Sequence, residues 1–445
     1  MGTDTLREQP ADEAAGRRRE QRAWYMYDWA CSVYSTSVLT VFLGPYLTSV
    51  TESAADADGF VHPLGIPVRA GSFFAYSVSL SVVVAVLLMP VVGAIADRAG
   101  NKKRLLGVAA YVGAAATTGM FFLDGDRYLL GGLLLIVANA AQSVAMMLYN
   151  SYLPQIAPPE ERDAVSSRGW AFGYAAGALV LVVNLVLYLR HDDFGVSEST
   201  AVRICLAMAG LWWGAFAIIP LCRLRDRRRP PGEVTGPGGL RQLAATVRDM
   251  RRHPLTLSFL LYNDGIQTVI SQASVYGSEE LGLGQATLIG AVLLVQVLAV
   301  AGALALGRLA ARYGAKRTIL GSLVAWTLTL SAGYFLPAGE PVWFFALAAA
   351  IGLVLGGSQA LSRSLYSHLV PPGKEAEYFS AYELSDRGMS WLGPLLFGLT
   401  YQLTGSYRDA IISLVVFFVL GFTLLARVPV RCAVADAGNA VPERI

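Results

Sequence analysis

The chain has 445 residues, of which 54% are hydrophobic and only 15% are charged, and its formal net charge is +3. A soluble domain carries roughly 25% charged residues, so this composition, with a mean hydropathy of +0.49, excludes an ordinary soluble protein. The cysteines and histidines are scattered without the spacing of a disulfide framework or a zinc site, so we expect no metal and no cofactor.

The predicted elements are about twelve apolar runs, each long enough for a membrane helix of ~20 residues. A β-barrel is excluded because its strands would alternate apolar and polar residues, whereas "LSVVVAVLLMPVVGAIA" is apolar throughout. We therefore predict an all-α integral membrane protein. In chain order the runs lie near 23–47, 71–96, 104–123, 128–150, 168–189, 201–222, 255–275, 286–309, 318–336, 341–364, 379–403 and 408–427.

Basic residues predict the orientation of these helices, since cytosolic loops carry an excess of lysine and arginine. With both termini in the cytosol, these residues divide roughly thirty inside to five outside. The Pro- and Gly-containing Arg-rich stretch at the midpoint favours a basic linker over a nucleic-acid or lipid site, so we expect no nucleic-acid partner. The predicted domains are a cytosolic tail (1–22), a six-helix half (23–222), the cytosolic linker (223–254), a second six-helix half (255–427) and a cytosolic tail (428–445).

Two sequence echoes indicate that the halves are repeats. "GAIADRAGNKKR" at 93–104 returns as "GRLAARYGAKR" at 307–317, and "SYLPQIAPPEER" at 151–162 returns as "SLYSHLVPPGKE" at 364–375. The echoes come in the same order at nearly the same separation. Two halves of like orientation, related by an axis along the membrane normal, are the architecture of major facilitator transporters.

Several motifs resemble known families. "GAIADRAGNKKR" is similar to the loop motif between the second and third helices of the major facilitator superfamily, although Ala311 replaces its Asp in the second copy. "WYMYDWACSVYSTSVL", "LYNSYLPQIAPPEERDAVSSRGWAFGY", "FLLYNDGIQTVI" and "SRSLYSHLVPPGKEAEYFSAYELSDRG" together look like the fungal autophagy-related vacuolar effluxers and their bacterial relatives, also called the unknown major facilitator family. The resemblance runs from about Trp24 to Arg427. It implies the major facilitator fold and, from the fungal members, amino-acid efflux.

The loop motif supplies candidate gating residues. Asp97 at a helix end could satisfy free N–H groups at the start of the eleventh helix, near 384–388, and the superfamily resemblance implies that such a contact locks the cytosolic side. The basic residues could instead only anchor the loop in the cytosol. Glu383 and Arg387, four apart on one helical face, could equally form a local ion pair. The predicted gating set is Gly93, Asp97, Arg98, Gly100, Glu383, Asp386 and Arg387.

Polar residues inside the apolar runs are candidates for the transport site, because a charge at membrane depth costs at least ~2.5 kcal/mol and faces a cavity or a partner. Asp264 interrupts the seventh run, and Asp28 holds the corresponding place in the first; helices one and seven line the cavity in this architecture. An anionic or zwitterionic solute would suit Arg168, Arg363 or Arg387, should one of them reach the cavity. The predicted proton-coupling or substrate-binding set is Asp264, Asn263, Gln267, Asp28, Tyr262, Asn139 and Gln142.

A structural alternative exists for both carboxylates. The run Asn263–Asp264–Gly265 consists of residues that are common in turns. It predicts a break in the seventh helix, which would expose backbone carbonyls. Asp264 would then cap that break, and Asp28 would lie near the cytosolic mouth.

Two other classes of function, a nucleotide-driven pump and an enzyme, are disfavoured because the sequence lacks the motifs that they need. A nucleotide-driven pump would need a phosphate-binding loop, which does not occur, and an enzyme would need a grouped nucleophile and base or a metal cluster. We expect a monomeric secondary transporter in the plasma membrane, whose partners are the lipid bilayer, a small polar solute and, if transport is coupled, protons. A uniporter and a non-transporting receptor or scaffold on the same fold are the alternatives.

Overall fold

A computed structural model describes residues 5–227, 254–389 and 392–442 of the chain. Among these residues, nine helices are long and apolar enough to cross a membrane. A chain in lipid forms such helices because each helix satisfies its own backbone N–H and C=O groups.

The helices are α1 (Thr5–Val33), α2 (Leu43–Ser53), α3 (Phe73–Ala99), α4 (Lys102–Gly119), α5 (Tyr128–Asn150), α6 (Leu153–Ile156), α7 (Arg162–Leu189), α8 (Glu198–Arg223), α9 (Pro254–Val275), α10 (Gln285–Tyr313), α11 (Ala315–Tyr334), α12 (Pro341–Ser367), α13 (Glu375–Met389), α14 (Leu392–Thr404), α15 (Tyr407–Ser413), α16 (Val415–Arg427) and α17 (Val430–Asp436). Two π-helical segments (Tyr34–Phe42, Tyr276–Glu280) and four short 3₁₀ turns (Pro63–Gly65, Ala70–Ser72, Met120–Phe122, Pro159–Glu161) complete the helical structure described. Strands β1 (Phe60–Val61) and β2 (Val68–Arg69) pair antiparallel.

A helix lies at each of the twelve predicted runs. The runs at 255–275, 318–336 and 379–403, which correspond to α9, α11 and α13–α14, are not among the nine apolar spans of the described residues. The prediction of twelve membrane spans therefore stays a prediction. The predicted linker lies, from residue 228 to 253, outside the described residues.

The chain forms two compact units. The first comprises Met1–Tyr149 and Ala175–Val234, and the second comprises Asn150–Tyr174 and Thr235–Ile445. The segment 150–174, which the sequence assigns to the first half, thus packs within the second unit.

Small residues let helices approach closely in both units. In the first unit, a Cβ added to Gly210 of α8 would overlap the backbone N of Thr118 in α4. In the second unit, a Cβ on Gly302 of α10 would overlap the carbonyl oxygen of Leu353 in α12, and one on Gly356 would overlap that of Ala299. Such close backbone contact is how membrane helices gain packing energy where lipid supplies no hydrophobic drive.

In each unit the loop that carries the first sequence echo (93–104 or 307–317) is hydrogen-bonded near the end of a long helix. The two units use different groups for this contact. In the first unit, Asp226 accepts a hydrogen bond from the N–H of Lys103 at 2.9 Å, which caps α4. In the second unit, the ammonium of Lys316 donates to the carbonyls of Ala426 at 3.0 Å and Val428 at 2.8 Å, at the C-terminal end of α16.

The predicted break in the seventh helix is wrong. Helix α9 continues through Asn263, Asp264 and Gly265 as one 22-residue helix. The glycine serves packing instead, since a Cβ there would lie 3.0 Å from the Cβ of Phe417 and 3.1 Å from the ring of Phe418. A continuous helix is preferred to a turn at this sequence, because a break in lipid would leave backbone N–H and C=O groups unsatisfied.

The α10–α12 contact yields a stability prediction. Gly302→Ala places its methyl group against the Leu353 carbonyl, so we expect a loss of ~1–3 kcal/mol from the strain and a lower melting temperature of the purified protein. Gly321→Ala is the matched control, because a Cβ at Gly321 meets nothing within 4 Å. The control should be neutral or stabilising, since alanine favours helix over glycine. Equal melting temperatures for the two variants would contradict the close packing.

Candidate functional site

Asp264 is a buried carboxylate in the middle of α9, about 15 Å from either end at 1.5 Å per residue. Its side chain is only 2% exposed. The Oδ2 atom accepts a hydrogen bond from the N–H of Gly393 in α14 at 2.8 Å. The carboxylate therefore satisfies a backbone N–H of α14.

The sequence of α14 makes room for this contact. Pro394, the next residue, lacks an N–H of its own. Gly393 has no side chain where α9 approaches, and a Cβ there would overlap the hydroxyl of Thr268. The hydroxyl of Thr268 in turn donates to the carbonyl of Asp264 at 2.7 Å.

The other residues of α9 that were predicted to bind the substrate or proton are close to Asp264 in the sequence. Asn263 is buried and Gln267 is half-buried; these two residues are four apart and share one helical face. The hydroxyl of Tyr262 lies 2.6 Å from the hydroxyl of Ser362 in α12. This polar stretch belongs entirely to the second unit.

The predicted residues of the first unit form separate contacts. The hydroxyl of Tyr149 donates to Oδ2 of Asp28 at 2.6 Å, and the Tyr149 ring stacks on Trp24 with centroids 4.3 Å apart. Asn139 donates to the hydroxyl of Ser81 at 2.6 Å. The structure thus gives Asp28 and Asp264 a similar environment, in which a buried carboxylate accepts a hydrogen bond from a neutral donor.

Gln142 ties α5 to the π-helical segment after α1. Its amide nitrogen donates to the hydroxyl of Ser35 at 3.2 Å.

The predicted gating residues of the loop motif lie at the end of α3: Gly93, Asp97, Arg98 and Gly100. Asp97 and Lys102 form an ion pair at 2.9 Å, with both side chains largely buried. Gly100 ends α3 in the left-handed conformation, with a φ of 62°. The contact of Asp97 with the eleventh helix remains a prediction, because the side chains of 384–391, and with them Asp386 and Arg387, lie outside those the structure describes.

A buried polar network in the second unit includes Glu383 and centres on Arg363. Arg363, 1% exposed, donates to the hydroxyl and the carbonyl of Ser166, both at 2.9 Å, and to Oδ1 of Asn150 at 3.2 Å. Nδ2 of Asn150 donates to Oε1 of Glu383 at 2.9 Å. The guanidinium also lies 5.3 Å from the ring centre of Trp170. Five residues from α5, α7, α12 and α13 are thereby joined.

A second layer of contacts lies beside this network, at the start of α7 and the end of α12. Arg162 donates to the carbonyl of Ser367 at 3.0 Å, and Asp163 accepts from the hydroxyl of Ser364 at 2.5 Å. Burial, and then the Arg162 guanidinium, lower the pKa of His368 to about 3. The ring is therefore neutral at physiological pH, and its Nδ1 lies 3.4 Å from the guanidinium.

The two layers follow the internal repeat. Pro158 and Pro371 are 213 positions apart, and the same offset relates Asn150 to Arg363 and Trp170 to Glu383. The Arg363–Trp170 contact and the Asn150–Glu383 contact are therefore repeat equivalents.

Sequence reasoning named Arg363 as a possible solute contact and Glu383 as a gating residue, and it missed the part played by four others: Arg162, Asp163, Ser166 and Trp170. The signal that could have found these residues was the second echo. The two copies of that echo, 151–162 and 364–375, contain or adjoin residues on both sides of the network.

Comparison with known sequences identifies the family. A family model described as vacuole effluxer Atg22 like matches residues 16–438. The chain is 30% identical over 421 residues to the uncharacterized MFS-type transporter YxiO of Bacillus subtilis, which covers 92% of this chain and 95% of that relative. It is 26% identical over 514 residues to autophagy-related protein 22 of Pyricularia oryzae, covering 91% of this chain and 75% of the relative.

Solved structures establish the fold. The human organic anion transporter MFSD10 (TETRAN) superposes with a TM-score of 0.68 at 14% identity, over 92% of this chain and 99% of that one. The proton:xylose symporter XylE gives a TM-score of 0.68 at 13% identity, over 94% and 96% of the two chains. Because the family match spans nearly the whole chain and the helices have this fold, the protein belongs to the Atg22-like effluxer family and is a multi-pass major facilitator transporter, not an enzyme.

Proposed function

We propose that the protein exports amino acids or related small polar metabolites from the cytosol across the plasma membrane, and that Asp264 couples export to protons. The family description supports efflux, and the resemblance to the fungal effluxers supports amino acids. The observation that carries the coupling role is the buried carboxylate at the centre of α9. Transporters of this fold hold their substrate and coupling sites near the membrane midplane.

The hydrogen bond to Gly393 supports a carboxylate that works in two protonation states. As a carboxylate it accepts the N–H of Gly393, which stabilises the charge in a buried place. As a neutral acid it gains an O–H donor for a solute group or for the neighbouring Asn263. Binding and release of the proton on opposite faces of the membrane would then drive export.

The Arg363 network is the proposed gate on the cytosolic face. The basic loops support a cytosolic position for the ends of α5, α7, α12 and α13 that carry it. Four of the bonds described above join α5 or α7, from the predicted first half, to α12 or α13. The face can open only when they separate.

A second candidate function is favoured by the same Gly393 contact. If Asp264 serves only to hold the backbone N–H of Gly393, another reading is that the protein is a uniporter, whose transport does not depend on a pH gradient. Replacement of the carboxylate distinguishes this from the coupled exporter.

The orientation is tested by single cysteines at Glu52 and Glu233, introduced after Cys222 and Cys432, the two exposed cysteines of the described residues, are changed to serine. In intact cells we expect an impermeant thiol reagent to label the Glu52 position and to spare the Glu233 position, because the linker is basic and cytosolic. Labelling of Glu233→Cys alone would reverse the topology.

The coupling role is tested by Asp264→Asn in proteoliposomes, with the twenty amino acids as solutes. Asparagine can accept the Gly393 hydrogen bond but cannot titrate. We expect export driven by a pH gradient to be lost, while exchange of the same amino acid at equal pH persists. Asp126→Asn, the same change on an exposed loop, is the control and should transport like the wild type.

The Asp264→Ala variant measures the contribution of Asp264 to stability, separately from its role in transport. It leaves the Gly393 N–H without this acceptor, so we expect a loss of ~1–3 kcal/mol of stability, seen as a lower melting temperature. Full gradient-driven export by the asparagine variant would assign Asp264 a structural role alone, and wild-type export that ignores the pH gradient would favour the uniporter.

A further inference from the structure

A polar contact near the middle of α7 joins that helix to α12, one turn beyond the Arg363 network. The hydroxyl of Tyr174 donates to Oε1 of Gln359 at 3.1 Å, and both residues belong to the second unit. Tyr174 lies about 18 Å from the start of α7 and about 22 Å from its end, at 1.5 Å per residue. Gln359 lies four residues before Arg363, on the same face of α12 and nearer the middle of that helix. The contact is therefore near the depth at which transporters of this fold bind their solutes.

This contact does not face the lipid. A helix turns about 100° per residue, so the exposed apolar residues Phe172 and Val183 of α7 lie about 160° and about 180° around the helix from Tyr174. In α12, the exposed Leu353 lies about 120° from Gln359. Both Tyr174 and Gln359 are nevertheless only half-buried. Polar groups that are accessible at membrane depth but turned away from lipid face a water-filled space, so a dissolved solute can reach this pair.

Gln359 presents hydrogen-bond donors to that space. Its Oε1 is taken by the hydroxyl of Tyr174, whereas its Nε2 has no hydrogen-bond partner in the part of the chain that the structure describes. The amide nitrogen carries two N–H donors and accepts no hydrogen bond. Tyr174 thus holds the amide so that its donors are the free side.

Trp170, one turn before Tyr174 on α7, adds a second unpaired donor. Its ring centre lies 5.5 Å from that of Tyr174. Its indole Nε1 is buried and has no acceptor among the described residues. This part of the α7–α12 contact therefore has donors to spare, and buried donors are normally satisfied by an acceptor.

An α-amino acid brings one group that matches these donors. Its ammonium can only donate hydrogen bonds, whereas its carboxylate can only accept them. A hydrogen bond from an amide N–H to a carboxylate is charge-assisted, and such bonds are roughly twice as strong as neutral ones. The donors of Gln359 therefore favour the carboxylate end of the solute.

We propose that Gln359 binds the carboxylate of the transported amino acid and that Tyr174 is the positioning residue that orients the amide. The inference rests on the proposed export of amino acids. Gln359 is one turn closer to the middle of α12 than Arg363, so the bound carboxylate lies directly on the membrane side of the proposed gate. An amino acid entering through the open gate meets this amide first.

The test is equilibrium binding to the purified full-length protein in lipid nanodiscs, at about pH 6.5, where α-amino groups are charged. The probes are the twenty amino acids and, for each one that binds, its carboxamide, which keeps the ammonium and lacks the carboxylate. For the wild type we expect the free amino acid to bind more tightly than the carboxamide. Gln359→Met, which removes the donors at similar length, should lower that ratio of affinities about tenfold, the difference between a charged and a neutral hydrogen bond.

Three further variants separate donation to the solute from a structural role. Gln359→Lys restores N–H donors but cannot accept the Tyr174 hydroxyl, so it should restore the preference for the free amino acid. Tyr174→Phe leaves the donors in place and lets the amide turn, so it should lower the ratio less than Gln359→Met does. Gln402→Met, the same change at an exposed position of α14, is the control and should bind like the wild type.

The outcomes separate this subsite from the proposed function. If the wild type binds amino acids but Gln359→Met weakens the amino acid and its carboxamide by one common factor, Gln359 is only a structural partner of Tyr174, and the subsite is overturned while export stands. A folded lysine variant that behaves like the methionine variant would lead to the same conclusion. If the wild type binds none of the twenty amino acids, the proposed export of amino acids is overturned, and the subsite with it.

Discussion

An ionised side chain inside an apolar helical bundle must be hydrogen-bonded, and the described structure is organised by that requirement. Arg363 is the clearest case, since its guanidinium draws α5 and α7 onto α12 through Asn150 and Ser166. Removing one partner from a buried charge costs several kcal/mol, so these helix ends are held together wherever the charge is. This requirement also explains why the segment 150–174 packs in the second unit.

The two copies of the repeated loop motif provide different acceptors for the same lysine position. In the first copy Asp97 pairs with Lys102, so the lysine is neutralised within its own loop. In the second copy Ala311 stands in place of the aspartate, and the equivalent Lys316 binds the terminal carbonyls of α16 instead. Loss of the carboxylate is therefore accompanied by a new acceptor, as positive charge near a helix C-terminus allows.

The sequence was a good guide to the helices and a poor guide to the contacts between them. Apolar runs predict membrane helices because the backbone is satisfied locally, and each predicted run is helical. Asp264 was recognised as a buried carboxylate, but its partner Gly393 lies 129 residues away, and no local pattern encodes such a pairing. The same limit explains the wrong prediction at Gly265, where the phenylalanines of α16, not the adjoining Asn–Asp, account for the glycine.

Four buried charges of the candidate sites each form a hydrogen bond with a neutral group. Asp28 accepts from a tyrosine hydroxyl, Asp264 from a backbone amide, and Arg363 and Glu383 both bond to one asparagine. A hydrogen bond between a charge and a neutral group contributes ~1.5–3 kcal/mol, whereas breaking a buried ion pair by removing one partner costs ~3–5 kcal/mol. A hydrogen bond with a neutral partner is therefore easier to exchange than a buried ion pair. A transporter has to exchange its internal contacts for contacts with its cargo in every cycle, and these partners keep the cost of that exchange low.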